Sequence, residues 1–186
     1  ASGLCDTIAS QLKAKPQGWT DGQIVLSLIL LNLAGGDCVD DIDRLEQDAG
    51  MRHLLLKCET HGIRRSARRA YERRWRQAKQ RAFPSASALH RYLALFHHAG
   101  EEALRQPGKA FIPAPNALLS QLIGVNTTLL DFAQQQNPCE TATLDQDATL
   151  CETSKRSATY CYDKYKAYQP FNTYWAEQEL LVHSEF

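Results

Sequence analysis

The chain has 186 residues, with 21 Lys and Arg against 21 Asp and Glu, and is 44% hydrophobic and 23% charged. This is an ordinary globular composition, long enough to bury a core without a staple. The longest apolar run, IVLSLILLNLAG from Ile24, falls short of the ~20 residues that span a bilayer and lacks the pattern of a secretory leader. A soluble, cytoplasmic protein with no membrane partner is expected, its scattered cysteines reduced. The zero net charge hides a separation. From Asp37 to Asp48 six acids face one base, Arg44, and from Arg64 to Arg81 nine bases face one acid, Glu72.

In chain order, GWTDGQIVLSLILLNLAGGD predicts a helix that Thr20 or Asp21 caps and Gly35–Gly36 ends. It is apolar nearly all round, as a helix buried on most sides is. CVDDIDRLEQDAG reads as an acidic helix with Val39, Ile42 and Leu45 on one stripe, and a short element around MRHLLLKC follows. In HLLLKCETH, His53, Cys58 and His61 have irregular spacing and no second pair, so buried cysteine and surface histidine are a better reading than zinc.

IRRSARRAYERRWRQAKQRAF predicts an amphipathic helix ended by Pro84. Ala67, Ala70, Tyr71, Trp75 and Ala78 share one face, and Arg65, Arg68, Arg69, Arg73, Arg76 and Lys79 the other. Such a one-sided, arginine-rich stripe is an electrostatic footprint for nucleic acid, because guanidinium forks match phosphate oxygens. Packing against the acidic helix is the competing reading. SASALHRYLALFHHAGEEAL predicts a further helix capped by Ser85 or Ser87, with Leu89, Tyr92, Leu93 and Phe96 as its core stripe. His90, His97 and His98 on it have no nucleophile nearby and read as structural. After a proline-rich connector, NALLSQLIGVNTTLLDFAQQQN is helical again.

Beyond Pro138 the texture becomes strand-like, with period-two alternation in TATLDQDATLCE, SATYCYDKYKAYQPFNTYWAEQ and LLVHSEF. On a strand, Thr143, Asp145, Asp147 and Thr149 point to one side. Two carboxylates placed so suit a hard cation such as Mg2+ or Mn2+, or they are the solvent side of an edge strand. The aromatics of YKAYQPFNTYW offer a base-stacking surface or the core of a sheet.

Together, GWTDGQIVLSLILLNLAGGDCVDDIDRLEQD, RRSARRAYERRWRQAK, PGKAFIPAPN and ATLDQDATLCETSKRSATYCYDKYKAYQPFNTYWAEQELLVHSEF resemble a bacterial insertion-sequence transposase of the DDE type, over nearly the whole chain. The resemblance implies a mainly α, basic, DNA-binding region over 1–138. It also implies the first antiparallel strands of an α/β RNase H-like catalytic domain over 139–186. The family cleaves and joins DNA strands with an Asp, Asp, Glu set around two divalent metals. Its first Asp lies in an Asp-small-Thr pattern on the first strand. Asp147-Ala148-Thr149 matches, so Asp147 is the implied catalytic and metal-binding carboxylate, and Asp145 a second metal ligand or outer partner.

QPFNTYWAE and LLVHSEF would be the second and third strands, antiparallel to the first. Arg64, Arg65, Arg68, Arg69, Arg73, Arg76 and Lys79 would hold the DNA of element ends and target, and family members commonly assemble as homo-oligomers on paired ends. The later Asp and Glu have no counterpart here. The two-metal Mg2+ or Mn2+ site would be completed from outside this chain, which reads as a fragment without cleavage activity alone. A truncated, non-catalytic DNA-binding regulator is the alternative, and a helical protein–protein adaptor a third.

Overall fold

The computed structural model describes residues 3–75, 81–106, 109, 111, 113–156 and 158–185. The described chain forms two compact units that divide between His97 and His98. Helices come first and two small antiparallel sheets toward the C-terminal end. Among the described residues no helix is long and apolar enough to cross a membrane.

The first unit is helical: α1 (Leu4–Gln11), α2 (Asp21–Leu33), α3 (Ile42–Gln47), α4 (Ala49–Glu59), α5 (Arg65–Trp75) and α6 (Ala86–Leu93). Helix α2 starts where the sequence predicts. The Thr20 hydroxyl accepts from the Gln23 amide at 3.3 Å while the Gln23 side chain accepts from the Thr20 amide at 3.1 Å. This reciprocal box satisfies two donors that a helix start otherwise leaves orphaned. At the other end, Gly35 adopts φ +75° and the Gly36 amide returns to the Leu31 carbonyl, the left-handed stop that glycine permits at least cost. Ile24, Leu26, Leu30 and Leu31 of this helix join Ile8, Leu12, Ile42, Leu45, Leu55, Phe83 and Leu89 in the core.

Polar groups inside this unit are paired. Asp21, 8% exposed, accepts a 2.9 Å hydrogen bond from the Tyr92 hydroxyl. Burial, and then that carboxylate, push the Tyr92 phenol far above its usual value. Glu46 of α3 accepts from the amides of Ala82 and Phe83 at 3.0 and 2.8 Å, and Arg81 pairs with Asp43. Residues 81–83, which lead into α6, are thereby fastened to α3, and Phe83 is fully buried.

Two helices expected as single elements are each broken. The acidic one is a 3-10 turn, Val39–Asp41, followed by the short α3. There the Asp41 carboxylate takes the amides of Asp37 and Cys38. These bonds, the Cys38 amide first, hold its carboxyl below the usual range. Asp48 then caps α4 by accepting from Met51 at 2.9 Å. The helix predicted from Ser85 onward ends as α6 at Leu93 and a 3-10 turn, Ala94–Phe96. His98 then leaves helical geometry, and its ring nitrogen caps the four-residue α7 (Ala99–Glu102) through the Glu101 amide at 3.1 Å. Helical periodicity carries no information about such side-chain competition for backbone donors.

In the second unit α8 (Ala117–Gln136), capped by Asn116 onto Leu119, precedes the strands. One sheet has the order β1 (Leu144–Ala148), β5 (Phe171–Trp175), β6 (Leu180–Glu185), with β5 central and both pairings antiparallel. A bulge at Val182 interrupts the β5–β6 register, and the Val182 carbonyl accepts from the Asn126 amide of α8 at 2.9 Å. The other sheet has the order β2 (Cys151–Glu152), β4 (Lys166–Tyr168), β3 (Thr159–Tyr160).

The two sheets share a long ladder. Ala148 pairs with Phe171, and three residues on Cys151 pairs with Tyr168, in unchanged register. The Thr149 amide donates to the Pro170 carbonyl at 3.0 Å across the junction. Pro170 has no N–H to return, so the ladder is interrupted at that step.

Candidate active site and nucleic-acid interface

Asp145 and Asp147 lie on β1, opposite Tyr174 and Asn172 of β5. Paired residues of an antiparallel ladder project to the same side. One side therefore carries Asp145, Asp147, Asn172, Tyr174 and Ser184, and all are exposed except the half-buried Asn172. The opposite side carries Thr173, which is buried, and Gln146, whose amide donates to the Thr173 hydroxyl at 3.2 Å. The carboxylates thus stand on the open side of the sheet.

On that side Asn172 joins its neighbours in a chain the sequence did not reveal. The Ser184 hydroxyl donates to Asn172 Oδ1 at 2.7 Å, and Asn172 Nδ2 donates to the Thr149 hydroxyl at 2.7 Å. Asn172 is opposite Asp147, so this chain runs past the carboxylate from β6 through β5 to the residue just after β1. Pairing across 23 residues of intervening sequence has no local signal. Only the Asp-Ala-Thr spacing hinted that Thr149 belonged with Asp147.

Asp147 Oδ1 accepts from the Ala148 amide at 2.7 Å, and among the described residues neither Asp145 nor Asp147 is held in an ion pair. Exposed, oxygen-only donors two residues apart fit the preference of Mg2+ or Mn2+ for carboxylates that leave several waters in place. Among the described residues no group of three or more His, Cys, Asp or Glu is placed to hold a metal ion. Glu177, in the turn after β5, is engaged elsewhere. It accepts from the Thr143 amide and hydroxyl at 2.8 and 2.6 Å, the hydroxyl first among the causes holding its carboxyl below the usual range. Trp175 Nε1 donates to the Thr141 carbonyl at 3.1 Å, so the start of β1 is tied at two points to the end of β5.

The basic segment belongs to the helical unit. Arg64 precedes α5, its carbonyl accepting from the Arg68 amide at 2.9 Å. Arg64, Arg65, Arg68 and Arg69 are exposed, as is Ala67, although periodicity assigns it to the packed face. Arg68 pairs with Glu72 one turn on, at 2.9 Å. Arg73 lies on the same helix, and Arg76 and Lys79 lie outside the described residues. The acidic segment engages other partners: Asp41 pairs with Arg44 at 3.1 Å, Asp43 with Arg81, and Asp40 approaches His90 at 4.0 Å. Arg81, the last of the nine bases in the run, meets the acidic helix at Asp43.

The histidine and cysteine of the weak zinc pattern form no cluster. His53 and His61 are exposed and Cys58 is half-buried, and all six cysteines are free. No protein-family model, curated protein or solved structure matches the chain.

Proposed function

We propose that this chain carries the DNA-binding region and the first catalytic strand of an insertion-sequence DDE transposase, whose catalytic domain is RNase H-like. The observation that carries the reading is the placement of Asp147. It sits on the first strand of an antiparallel meander, on the open side, with the chain's next two long strands, β5 and β6, following in order across the sheet. A solvent-facing edge strand accounts for one exposed carboxylate as readily. What supports the transposase reading beside it is the Asp-Ala-Thr pattern, with Thr149 accepting from the Asn172 that lies opposite Asp147.

Supporting the DNA reading, Arg64, Arg65, Arg68 and Arg69 crowd the first turns of α5, which has no acid in its first turn. Cations at a helix N-terminus oppose the macrodipole by roughly 0.3–1 kcal/mol each. A phosphate there would relieve both the dipole and the mutual repulsion. Arg65, Arg68, Arg69, Arg73 and Arg76, with Arg64 and Lys79, are the residues assigned to hold duplex DNA.

Asp147, with Asp145, would hold a divalent cation. Bound there, such an ion supplies the positive charge that activates an attacking water or 3′-hydroxyl and steadies the leaving oxygen in phosphodiester cleavage. The chain's own part is positional. The Thr149–Asn172–Ser184 contacts fix β1 against β5, and the Ala148 amide holds one oxygen of Asp147, leaving the other free for a ligand.

Duplex binding measured against salt tests this reading. The log–log slope should fall by roughly 0.9 for each phosphate contact removed. Replacing Arg65, Arg69, Arg73 and Arg76 by Ala should therefore flatten it. An unchanged slope removes α5 as the contact surface.

A second reading, a non-catalytic DNA-binding regulator, needs only the basic helix α5, whose Arg64, Arg65, Arg68 and Arg69 lie exposed at its start. The reading frame beyond the codon for Phe186 separates the two. A later in-frame Asp and Glu support the enzyme, and an immediate stop supports the regulator.

A further inference from the structure

Duplex binding and the Asp145–Asp147 pair leave the segment between β1 and β5 unexplained. Residues 151–168, CETSKRSATYCYDKYKAY, hold four bases (Lys155, Arg156, Lys164, Lys166), two acids (Glu152, Asp163) and four tyrosines. Folding sorts them by side. Ala158, Cys161 and Ala167 are buried, whereas Tyr160 is 70% and Tyr162 81% exposed.

The small residues of this sheet are its buried ones, Tyr165 and Tyr168 are half-buried, and the rings of Tyr160 and Tyr162 are left to solvent. A lone exposed aromatic is unremarkable. Here, however, Lys166 pairs in register with Tyr160 and its ammonium stands 6.0 Å from the ring centroid, a cation–π arrangement that holds ring and charge together. At the turn, Lys164 adopts φ +67° and its amide bonds the Cys161 carbonyl at 3.0 Å. The exposed Lys155 and Arg156 lie in the loop that leads into β3.

Exposed rings interleaved with cations suit a strand whose bases are unpaired, because each base has a face to stack and each phosphate a charge to meet. A duplex hides its base faces and offers no use for the rings. The direction of the ladder adds a second point. Lys166 and Tyr168 share one side of β4, and the unchanged register across the junction carries the ladder on to Asn172 opposite Asp147. From Lys166 to Asn172 is six residues, about 20 Å at strand rise.

We propose that the β3–β4 tip, through Tyr160, Tyr162, Lys164 and Lys166 with Lys155 and Arg156, binds an unpaired DNA strand and leads it along the ladder toward Asp147. This goes beyond the reading of α5 as a duplex contact, and rests on the transposase reading only for where the strand leads.

The test uses the full chain with two fluorescent probes, oligo(dT) and a duplex of equal length. Replacing Tyr160 and Tyr162 together by Ala should weaken oligo(dT) binding about 10-fold or more and leave duplex binding within 2-fold (roughly the scatter expected of a surface change). The Tyr160→Phe, Tyr162→Phe pair, which keeps the rings, should bind oligo(dT) almost as the parent does. Unchanged oligo(dT) affinity in the Ala pair overturns the proposal, and so does a parallel loss on both probes. Loss in the Phe pair overturns stacking as its basis, and tighter binding of oligo(rU) than oligo(dT) overturns the choice of DNA. Because the α5 variants are read on the duplex and the tip variants on the single strand, failure of one reading leaves the other standing.

Discussion

In the helical unit two acidic groups are tied into the packed interior. Asp21 lies buried against Tyr92, and Glu46 closes on the amides of Ala82 and Phe83. In the strand-bearing unit Asp145 and Asp147 stand in solvent on β1, every residue of which is exposed or half-buried. The same split runs through the apolar residues. Among the described residues the second unit buries only Val125, Ala158, Cys161 and Ala167 of its hydrophobic side chains, and the first buries the rest of the core. A carboxylate at a buried position must be paired to be tolerated, so such residues report on stability. A carboxylate left on an open sheet keeps its solvation and is available to a ligand. The contrast teaches where these four acids act, Asp21 and Glu46 inside the helical unit and Asp145 and Asp147 outward from the sheet.

The largest effect that would sharpen the contrast is expected at Phe83. Phe83→Ala should lower the stability of the helical unit by about 3–5 kcal/mol, read by urea denaturation. A loss under 1 kcal/mol would mean that this core is not the anchor its burial implies. Next comes Tyr92→Phe, which strips Asp21 of its buried donor and should cost roughly 1.5–3 kcal/mol, seen as faster hydrogen exchange of α2 amides.

A smaller effect, confined to acid, is expected from Glu177. Its folded-state carboxyl lies below the ordinary 4.5. Its contribution is therefore fully present above that value and is lost as pH falls through the lower folded-state value. Glu177→Gln should flatten this part of the acid unfolding curve of the sheet, and an unaltered curve would show that the Thr143 contact adds nothing.

The smallest stability effect is expected at Asp147. Asp147→Ala should change stability by no more than ~0.5 kcal/mol, while Mn2+ binding measured by calorimetry is lost. A destabilisation above 1 kcal/mol would break the comparison by making Asp147 a structural residue like Asp21.

Local chemistry was legible wherever neighbours in sequence are neighbours in space. The Thr20–Gln23 box, the Gly35 stop and Ser85 accepting from Ala88 follow from residues three apart or fewer. The common side of Asp145 and Asp147 follows from the two-residue period of a strand. The small sheet β2–β4–β3 was not legible, because its strands are two or three residues long, too short for alternation to separate them from the flanking text. The break at His97–His98 was missed because a histidine ring capping a helix leaves no periodic trace.

The sequence by itself determined the start and stop of α2 and the start of α6, the segregation of acids and bases into separate segments, and the pairing of two carboxylates on one strand side. Each is set by interactions within a turn of helix or a few strand residues. Tertiary structure decided which acids are buried and which are free. Tyr92 reaches Asp21 across 71 residues, Glu46 reaches Phe83 across 37, and Asn172 reaches Thr149 across 23. Such contacts form only when the apolar surfaces between them have already been brought together, and no local pattern specifies that.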